Sequence, residues 1–191
     1  DTGRIAGAVG IDFAPCSMNC SFCSFGERWG VIGEEVVYTE DEVIAMVRAY
    51  VEQGATMVTL RSTEFYDLDV LQEWIADIRA QVPGSYEINM NVGELTPERA
   101  QAIWECGATS AYHVLRLREG EDTPFDPEVR IATIRAIAAS PLLLGTCVEP
   151  IGPEHTDDEL ADGILFGLEC SAYSGGVMAR VPVPGTPLEH A

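Results

Sequence analysis

Hydrophobic positions along the chain recur with two different periods, and the switches between them divide it into strands and helices. Residues 4–13 carry an apolar run with interspersed glycines, which predicts a first strand. Thr39-Glu40-Asp41-Glu42 then forms a capping box, in which the threonine oxygen accepts from a backbone N–H and Glu42 reaches back. Val43, Met46, Val47 and Tyr50 follow at helical spacing, and Gly54 stands where that helix should stop. Residues 55–61 read as a second strand. A helix from Asp67 or Asp69 to Val82 places Leu71, Trp74, Ile75 and Ile78 on one face, and residues 86–92 are the third strand. Thr96-Pro97-Glu98 supplies a cap and a first-turn proline for a helix that Gly107 terminates, before a fourth strand over residues 109–117. Asp126-Pro127 opens the next helix, residues 142–149 form a fifth strand, Thr156-Asp157-Asp158-Glu159 caps a fifth helix, and residues 176–183 are the sixth strand.

Strands alternating with helices through short connections imply right-handed βαβ units and one parallel sheet. The expected fold class is therefore α/β, a partial (β/α)6 barrel of TIM type with parallel strands inside and helices outside. The first strand delivers its loop at the C-terminal end, which is where such barrels place their chemistry.

At 191 residues, with 47% hydrophobic and 22% charged positions, residues 1–191 are expected to form a single domain with a sizeable core. No apolar run approaches the ~20 residues of a membrane helix, and a basic-then-apolar leader is absent from the start, so no membrane is expected and the expected location is the cytoplasm. The net charge of -20 comes from 31 acidic against 11 basic residues, all of the latter arginine. Such a surface repels polyanions, which argues against nucleic acid as a partner and is also what a protein adapted to a salty cytoplasm would carry.

Six cysteines, three clustered and three scattered, do not read as a disulfide framework. Cys106 and Cys170, near helix ends, read as small buried hydrophobes, whereas Cys147 on the fifth strand stays open. The cluster, Cys16-Ser17-Met18-Asn19-Cys20-Ser21-Phe22-Cys23, has C-x-x-x-C-x-x-C spacing directly after the first strand, and the next cysteine is Cys106. Three thiolates leave one iron of a 4Fe-4S cubane open to an outside molecule, whereas a closed structural site needs a fourth protein ligand. A zinc or redox cysteine cluster is the competing reading, although zinc sites usually combine two cysteine pairs.

With Phe22 before the last cysteine, this motif resembles the signature of the radical S-adenosylmethionine (SAM) superfamily. Later stretches, as far as Leu188, are similar to the subgroup that contains biotin synthase, methylornithine synthase and the E-type maturase of iron-only hydrogenase. The resemblance implies a 4Fe-4S cluster on Cys16, Cys20 and Cys23 and S-adenosyl-L-methionine chelating the open iron, with Phe22 beside the cofactors. Ser62-Thr63-Glu64 stands where the superfamily often has Gly-Gly-Glu, a contact to the amino group of SAM, with a solvated loop acid as the alternative for Glu64. Arg116, Arg118 and Glu119 lie in a segment similar in position to a SAM-contacting one, and some of them could instead form surface ion pairs. Arg130 matches an arginine that helps hold the SAM carboxylate, and a bidentate guanidinium suits that task. Ile151 falls in a region of adenine contacts. The positions that hold a second cluster in biotin synthase correspond to Thr59 or Leu60, Asn89 and Gly145, so sulfur insertion is not expected.

From the residues themselves, Glu87, Asn89 and Asn91 alternate on the third strand and share one face. Polar groups facing into a barrel are costly unless they meet a ligand or each other, so Asn89 and Asn91 are candidates for a substrate or SAM surface. His155 beside a helix cap reads as structural. The function expected is reductive cleavage of SAM to a radical that takes hydrogen from a small polar metabolite, as in an amino-acid mutase-like rearrangement or cofactor biosynthesis. A reducing protein such as ferredoxin or flavodoxin is the partner this implies. A metallocofactor maturation enzyme and a non-catalytic zinc or iron-sulfur binding protein are the alternatives. The chain stops just after the sixth strand, where biotin synthase relatives continue, so either a C-terminally truncated fragment or a minimal barrel is expected.

Overall fold

The computed structural model describes residues 3–190. In chain order its elements are β1 (Ala6–Gly10), β2 (Asp12–Phe13), β3 (Val36–Val37), α1 (Glu40–Glu52), β4 (Met57–Arg61), α2 (Leu68–Gln81), β5 (Glu87–Asn91), α3 (Pro97–Glu105), β6 (Ser110–Tyr112), α4 (Pro127–Ala139), β7 (Leu143–Gly145), β8 (Val148–Ile151), α5 (Asp157–Glu169) and β9 (Val177–Ala179). A 3-10 turn at Glu27–Trp29 lies in the long loop after β2.

Five strands form a parallel sheet in the order β1-β4-β5-β6-β7. This is an α/β partial barrel with the helices outside. The helix starts follow the local code. Thr39 and Thr156 each accept from the backbone N–H three residues on while Glu42 and Glu159 bond back, and Asp67, Thr96 and Asp126 cap α2, α3 and α4.

Two strand expectations are corrected. The run over residues 142–149 is broken at Thr146-Cys147, because these residues change partner: Thr146 N donates to Ser174 O (3.0 Å) and Val148 N to Gly176 O (2.9 Å). β8 therefore pairs with β9 in a separate parallel ladder, and the sixth strand continues the wall through that ladder rather than through the main sheet. The first strand likewise divides at Ile11, after which β2 turns to pair antiparallel with β3. The fourth is short, yet His113 N and Leu117 N still reach Gly145 O (3.0 Å) and Glu149 O (2.8 Å) across the wall.

Strand alternation separates two environments. Outward residues Val9, Val58, Leu60, Ile88, Met90 and Leu144 are buried in one apolar core with Val43, Ile44 and Val47 of α1, Leu71, Ile75 and Ile78 of α2, Ile103 of α3 and Ile134 and Ile137 of α4. Inward positions hold small or polar residues in register: Ala8, Thr59, Asn89 and Ser110 form one layer, and Gly10, Arg61 and Asn91 the next. Among the described residues no helix is long and apolar enough to cross a membrane.

Candidate functional site

The loop from Cys16 to Gly26 is held closed by its own backbone. Cys16 N donates to Phe25 O (2.6 Å), Cys23 N to Cys20 O (3.0 Å) and Gly26 N to Cys23 O (3.2 Å). Asn19 takes the left-handed conformation (φ 49°), which asparagine tolerates, and its amide donates to Ser17 O while its Oδ1 accepts from Arg28 N (2.8 Å). Two distant segments clamp the loop: Ser21 N donates to Asp122 O (2.8 Å) and Leu188 N to Ser21 O (3.0 Å). Trp29 Nε1 caps Cys20 O at 3.1 Å.

All three thiols line a cavity of about 860 Å³ that fills the barrel interior at the C-terminal ends of its strands. Burial pushes the Cys20 thiol up to about 12 and raises that of Cys16, so each becomes a thiolate only with positive charge beside it. Zinc–sulfur bonds of about 2.3 Å would bring tetrahedral sulfurs within about 3.8 Å of one another. Among the described residues, the group whose possible ligand atoms all lie within 4.8 Å of one another is Asp122, Glu154 and His155, not the cysteines. The wider thiol triangle suits a polynuclear cluster with one position left to an exogenous ligand.

Beside the thiols lies a buried charge network. Arg130 leaves α4 with its side chain 3% exposed, and its Nη1 reaches Glu94 Oε1 (2.8 Å) and His113 Nε2 (3.0 Å). Nη2 lies 3.4 Å from Glu64, and the guanidinium stacks 3.6 Å above the Phe125 ring. Its Nε makes no hydrogen bond among the described residues but lies 3.9 Å from Glu119 Oε2. Burial pushes the Glu64 carboxyl up to about 7, with the Arg130 charge opposing. Burial also acts on Glu94, but hydrogen bonds from His113 and Thr133 and the Arg130 charge outweigh it and hold that carboxyl below its ordinary value. His113 is held below its ordinary value by burial, against the pull of Glu94.

Of the residues expected at a site, Cys16, Cys20, Cys23, Ser62, Thr63, Glu64, Asn89, Asn91, Arg116 and Arg130 line this one cavity. Some of their capacity is already used. Thr63 N donates to Asp12 (2.7 Å) and its hydroxyl to the same carboxylate, and Asn89 bonds Thr59 (3.2 Å) and Ser110 (2.9 Å). Phe22, Arg118, Glu119 and Ile151 are not part of the lining. Phe22 sits half-buried in the turn between Cys20 and Cys23, and it is Phe25 that meets the cavity. Arg118, at φ 54°, turns its guanidinium to Glu154 O (2.7 Å) and Glu159 (3.4 Å). Glu119 is buried beneath, accepting from Arg116 N (2.9 Å) and Thr123, and Ile151 ends β8 against Ala179 of β9.

The sequence reading missed Glu94, Phe125, Tyr112 and Glu149 and left His113 and Cys147 unassigned. Glu94 carried a usable signal, since it follows β5 as Glu64 follows β4, at the strand ends that ring the cavity. On the remaining wall, Tyr112 donates to Glu149 Oε2 at 2.8 Å, beside Cys147 and the Ser174–Met178 stretch.

A family model described as Radical SAM superfamily matches residues 13–115. The chain is 29% identical over 169 residues to a biotin synthase of Cyanothece sp. (strain PCC 7425 / ATCC 29141), covering 73% of this chain and 41% of that protein. It is 25% identical over 188 residues to the FeFe hydrogenase maturase subunit HydE of Thermotoga maritima, covering 92% and 51%. It thus spans about half or less of the length of these curated relatives. The crystal structure of methylornithine synthase (PylB) superposes with a TM-score of 0.81 at 18% identity, over 98% of this chain and 57% of that one. That likeness shows the shared fold.

Proposed function

The chain belongs to the radical SAM superfamily, and from that premise we propose that it acts as a radical SAM enzyme on a small polar metabolite. The observation that carries this reading is the meeting of three open-sided thiols with the buried Arg130 guanidinium and the Glu64 carboxylate in one cavity. Cys16, Cys20 and Cys23 hold a 4Fe-4S cluster in this reading, and Glu64 and Arg130 address the ammonium and carboxylate of SAM as charge-assisted partners. When bound, cluster and SAM supply reductive cleavage of the sulfonium and a 5'-deoxyadenosyl radical able to remove hydrogen from substrate. The protein orients the reactants and keeps water and oxygen out. Phe25 and Met18 line the loop side of the cavity, while Asn91, Arg61 and Glu149 offer polar groups to a substrate in the same cavity.

The reading calls for a one-electron reductant, a protein of the ferredoxin or flavodoxin kind, in the cytoplasm. An amino-acid mutase-like rearrangement suits the polar lining. A second reading, assembly of another enzyme's metal cofactor, has the similarity to a hydrogenase maturase subunit in its favour. Sulfur insertion is set aside because Thr59 and Asn89 bond to each other and Gly145 offers no side chain at the inward positions that would have to carry thiols.

The test is anaerobic reconstitution with iron and sulfide, reduction, and EPR with and without SAM, followed by assay of 5'-deoxyadenosine. A cluster signal shifted by SAM, with deoxyadenosine formed, is the expected result. A site that takes zinc, or a cluster blind to SAM, overturns it. Cys20→Ser is expected to abolish deoxyadenosine formation, because two thiolates do not retain the cluster.

A further inference from the structure

The wall of the cavity made where the sheet breaks carries a thiol that the proposed chemistry does not use. Cys147 lies in the two-residue gap between β7 and β8, half-buried, and lines the same cavity as the three cluster thiols. Its surroundings are specific. Gly176, at the start of the segment that completes the wall, presents no side chain to the sulfur, and a Cβ there would come to 3.6 Å from Sγ. Tyr112, on the neighbouring strand, and Glu149, two residues along β8, line the cavity with Cys147, and the phenol donates to the carboxylate at 2.8 Å. Both the thiol and the phenol are held in their protonated forms. Burial raises Cys147, with Glu149 adding to it, and burial followed by the Glu149 charge raises Tyr112. The same cavity is lined by the Arg130 side chain, 3% exposed and set among the carboxylates of Glu64, Glu94 and Glu119.

We infer that Cys147 is the hydrogen-atom donor of this cavity, quenching a carbon radical formed there, with Tyr112 and Glu149 as its relay. The inference rests on the radical SAM reading above and assigns a catalytic role to residues outside the cluster motif. An S–H bond is weaker than the C–H bond that replaces it, so transfer of a hydrogen atom from Cys147 Sγ to a carbon radical runs downhill. The carbon gains its C–H bond and Cys147 is left as a thiyl radical. Tyr112 O–H returns one hydrogen atom, electron and proton together, to Sγ and becomes a phenoxyl radical. A second electron from the same class of low-potential carrier that reduces the cluster, with one proton delivered through Glu149, restores the phenol. The sum is one electron and one proton added to the carbon radical. A thiol hydrogen exchanges with water whereas a carbon-bound one does not, so the donor leaves an isotopic signature.

The experiment uses the full chain, reconstituted with cluster and reduced, with SAM as the only added reactant in D2O. The 5'-deoxyadenosine is analysed by mass for deuterium at C5', expressed per deoxyadenosine formed. Wild-type product is expected to carry one deuterium from Cys147 S–D. Cys147→Ser, which keeps the size but substitutes a strong O–H, and Cys147→Ala are both expected to drop the label to natural abundance. Tyr112→Phe is expected to keep the label in the first turnover and to lose the phenoxyl signal that freeze-quench EPR should detect in the parent protein. Unlabelled wild-type deoxyadenosine, or Cys147 variants whose product carries as much label as the wild type's, overturns the donor assignment and leaves the radical SAM reading intact. Absence of deoxyadenosine from the wild type instead sinks that underlying reading, and the donor assignment with it. The cluster-free chain gives an independent check: iodoacetamide, followed by peptide mass, should modify Cys147 faster than Cys170, which lies outside the cavity lining. The reverse order counts against a cavity-facing thiol.

Discussion

The α2 unit and the α5 unit solve the same packing problem in opposite ways. α2 turns Leu71, Ile75 and Ile78 into the core and buries all three completely. α5 buries only Gly167, while Ile164, Leu165 and Leu168 stay 50%, 60% and 69% exposed. The strand beside it, β9, is exposed along its whole length. Much of what holds this last unit is polar: Glu154 and Arg180 form a two-pronged ion pair with the Arg180 side chain 3% exposed, and His155 Nδ1 accepts from Gly152 N at 2.9 Å. The first four units are held by area removed from water, the last by fewer apolar contacts, among them Phe166 and Cys170, and by a charge pair that fastens β8 to β9. The cavity draws its wall from both, so the part of it around Cys147, Glu149 and Gly176 rests on the weaker kind of support.

The largest difference should appear on truncating matched residues. Ile75→Ala removes packed atoms from a closed core and should cost about 2–5 kcal/mol in urea unfolding. Leu165→Ala leaves little to collapse and should stay within about 0.5 kcal/mol. Equal losses would break the comparison and place α5 against a hidden apolar surface.

Arg180→Gln comes next. It strands Glu154, and a pair between fully buried and surface examples should be worth about 1–3 kcal/mol. Its effect should be local, with amide exchange in β8, β9 and α5 accelerating while α2 stays protected. Gly152→Ala should imitate it, since a Cβ there would overlap both Arg180 and Glu154. Acid should do the same. The ion pair holds the Glu154 carboxyl at about 2, below its unfolded value, so its contribution is complete above pH ~4.5 and is lost as pH falls towards about 2. Loss of protection in α2 before α5 on acidification would contradict the assignment.

A smaller but functionally sharper change is Gly93→Ala. A Cβ at this position would overlap the Glu64 carbonyl oxygen, so the loop after β4 must move away from the strand-end loop of β5. Overpacking of this kind costs about 1–3 kcal/mol. SAM binding should weaken by more than the stability loss predicts, because Glu64 and Glu94 are displaced together around Arg130. Unchanged binding would separate that network from SAM.

The features legible in the sequence were the local ones. Thr39, Thr96 and Thr156 announced their helices because a cap is satisfied within three residues, and the alternation of Glu87, Asn89 and Asn91 placed a polar row inside the barrel because strand parity is fixed by the backbone. The thiol motif was equally local. What escaped depends on partners far along the chain. Nothing near Thr146-Cys147 announces that these residues leave β6 for Ser174 and Gly176. Glu94 and His113 matter only because α4 brings Arg130 between them. Arg118 fits the pattern of a cofactor contact until a left-handed backbone turns it towards Glu154 and Glu159.

The smallest expected effect follows from the charge of -20. α5 carries Asp157, Asp158, Glu159, Asp162 and Glu169 with no basic residue, whereas α2 offsets Asp69, Glu73 and Asp77 with Arg79. Raising ionic strength from about 0.1 M to about 1 M shortens the screening length from about 10 Å to about 3 Å. Arg118 and Arg135 reach Glu159 and Glu169 from outside the helix, so self-repulsion should be relieved most at Asp157, Asp158 and Asp162, while the sheltered Glu154–Arg180 pair is screened little. Melting temperature should therefore rise modestly with salt, and amide protection should grow more in α5 than in α2. A uniform gain would mean that net charge acts on the whole fold alike. A falling melting temperature would show that the ion pair at β8 and β9 outweighs the repulsion around it, making the last unit the part of the barrel that salt releases first.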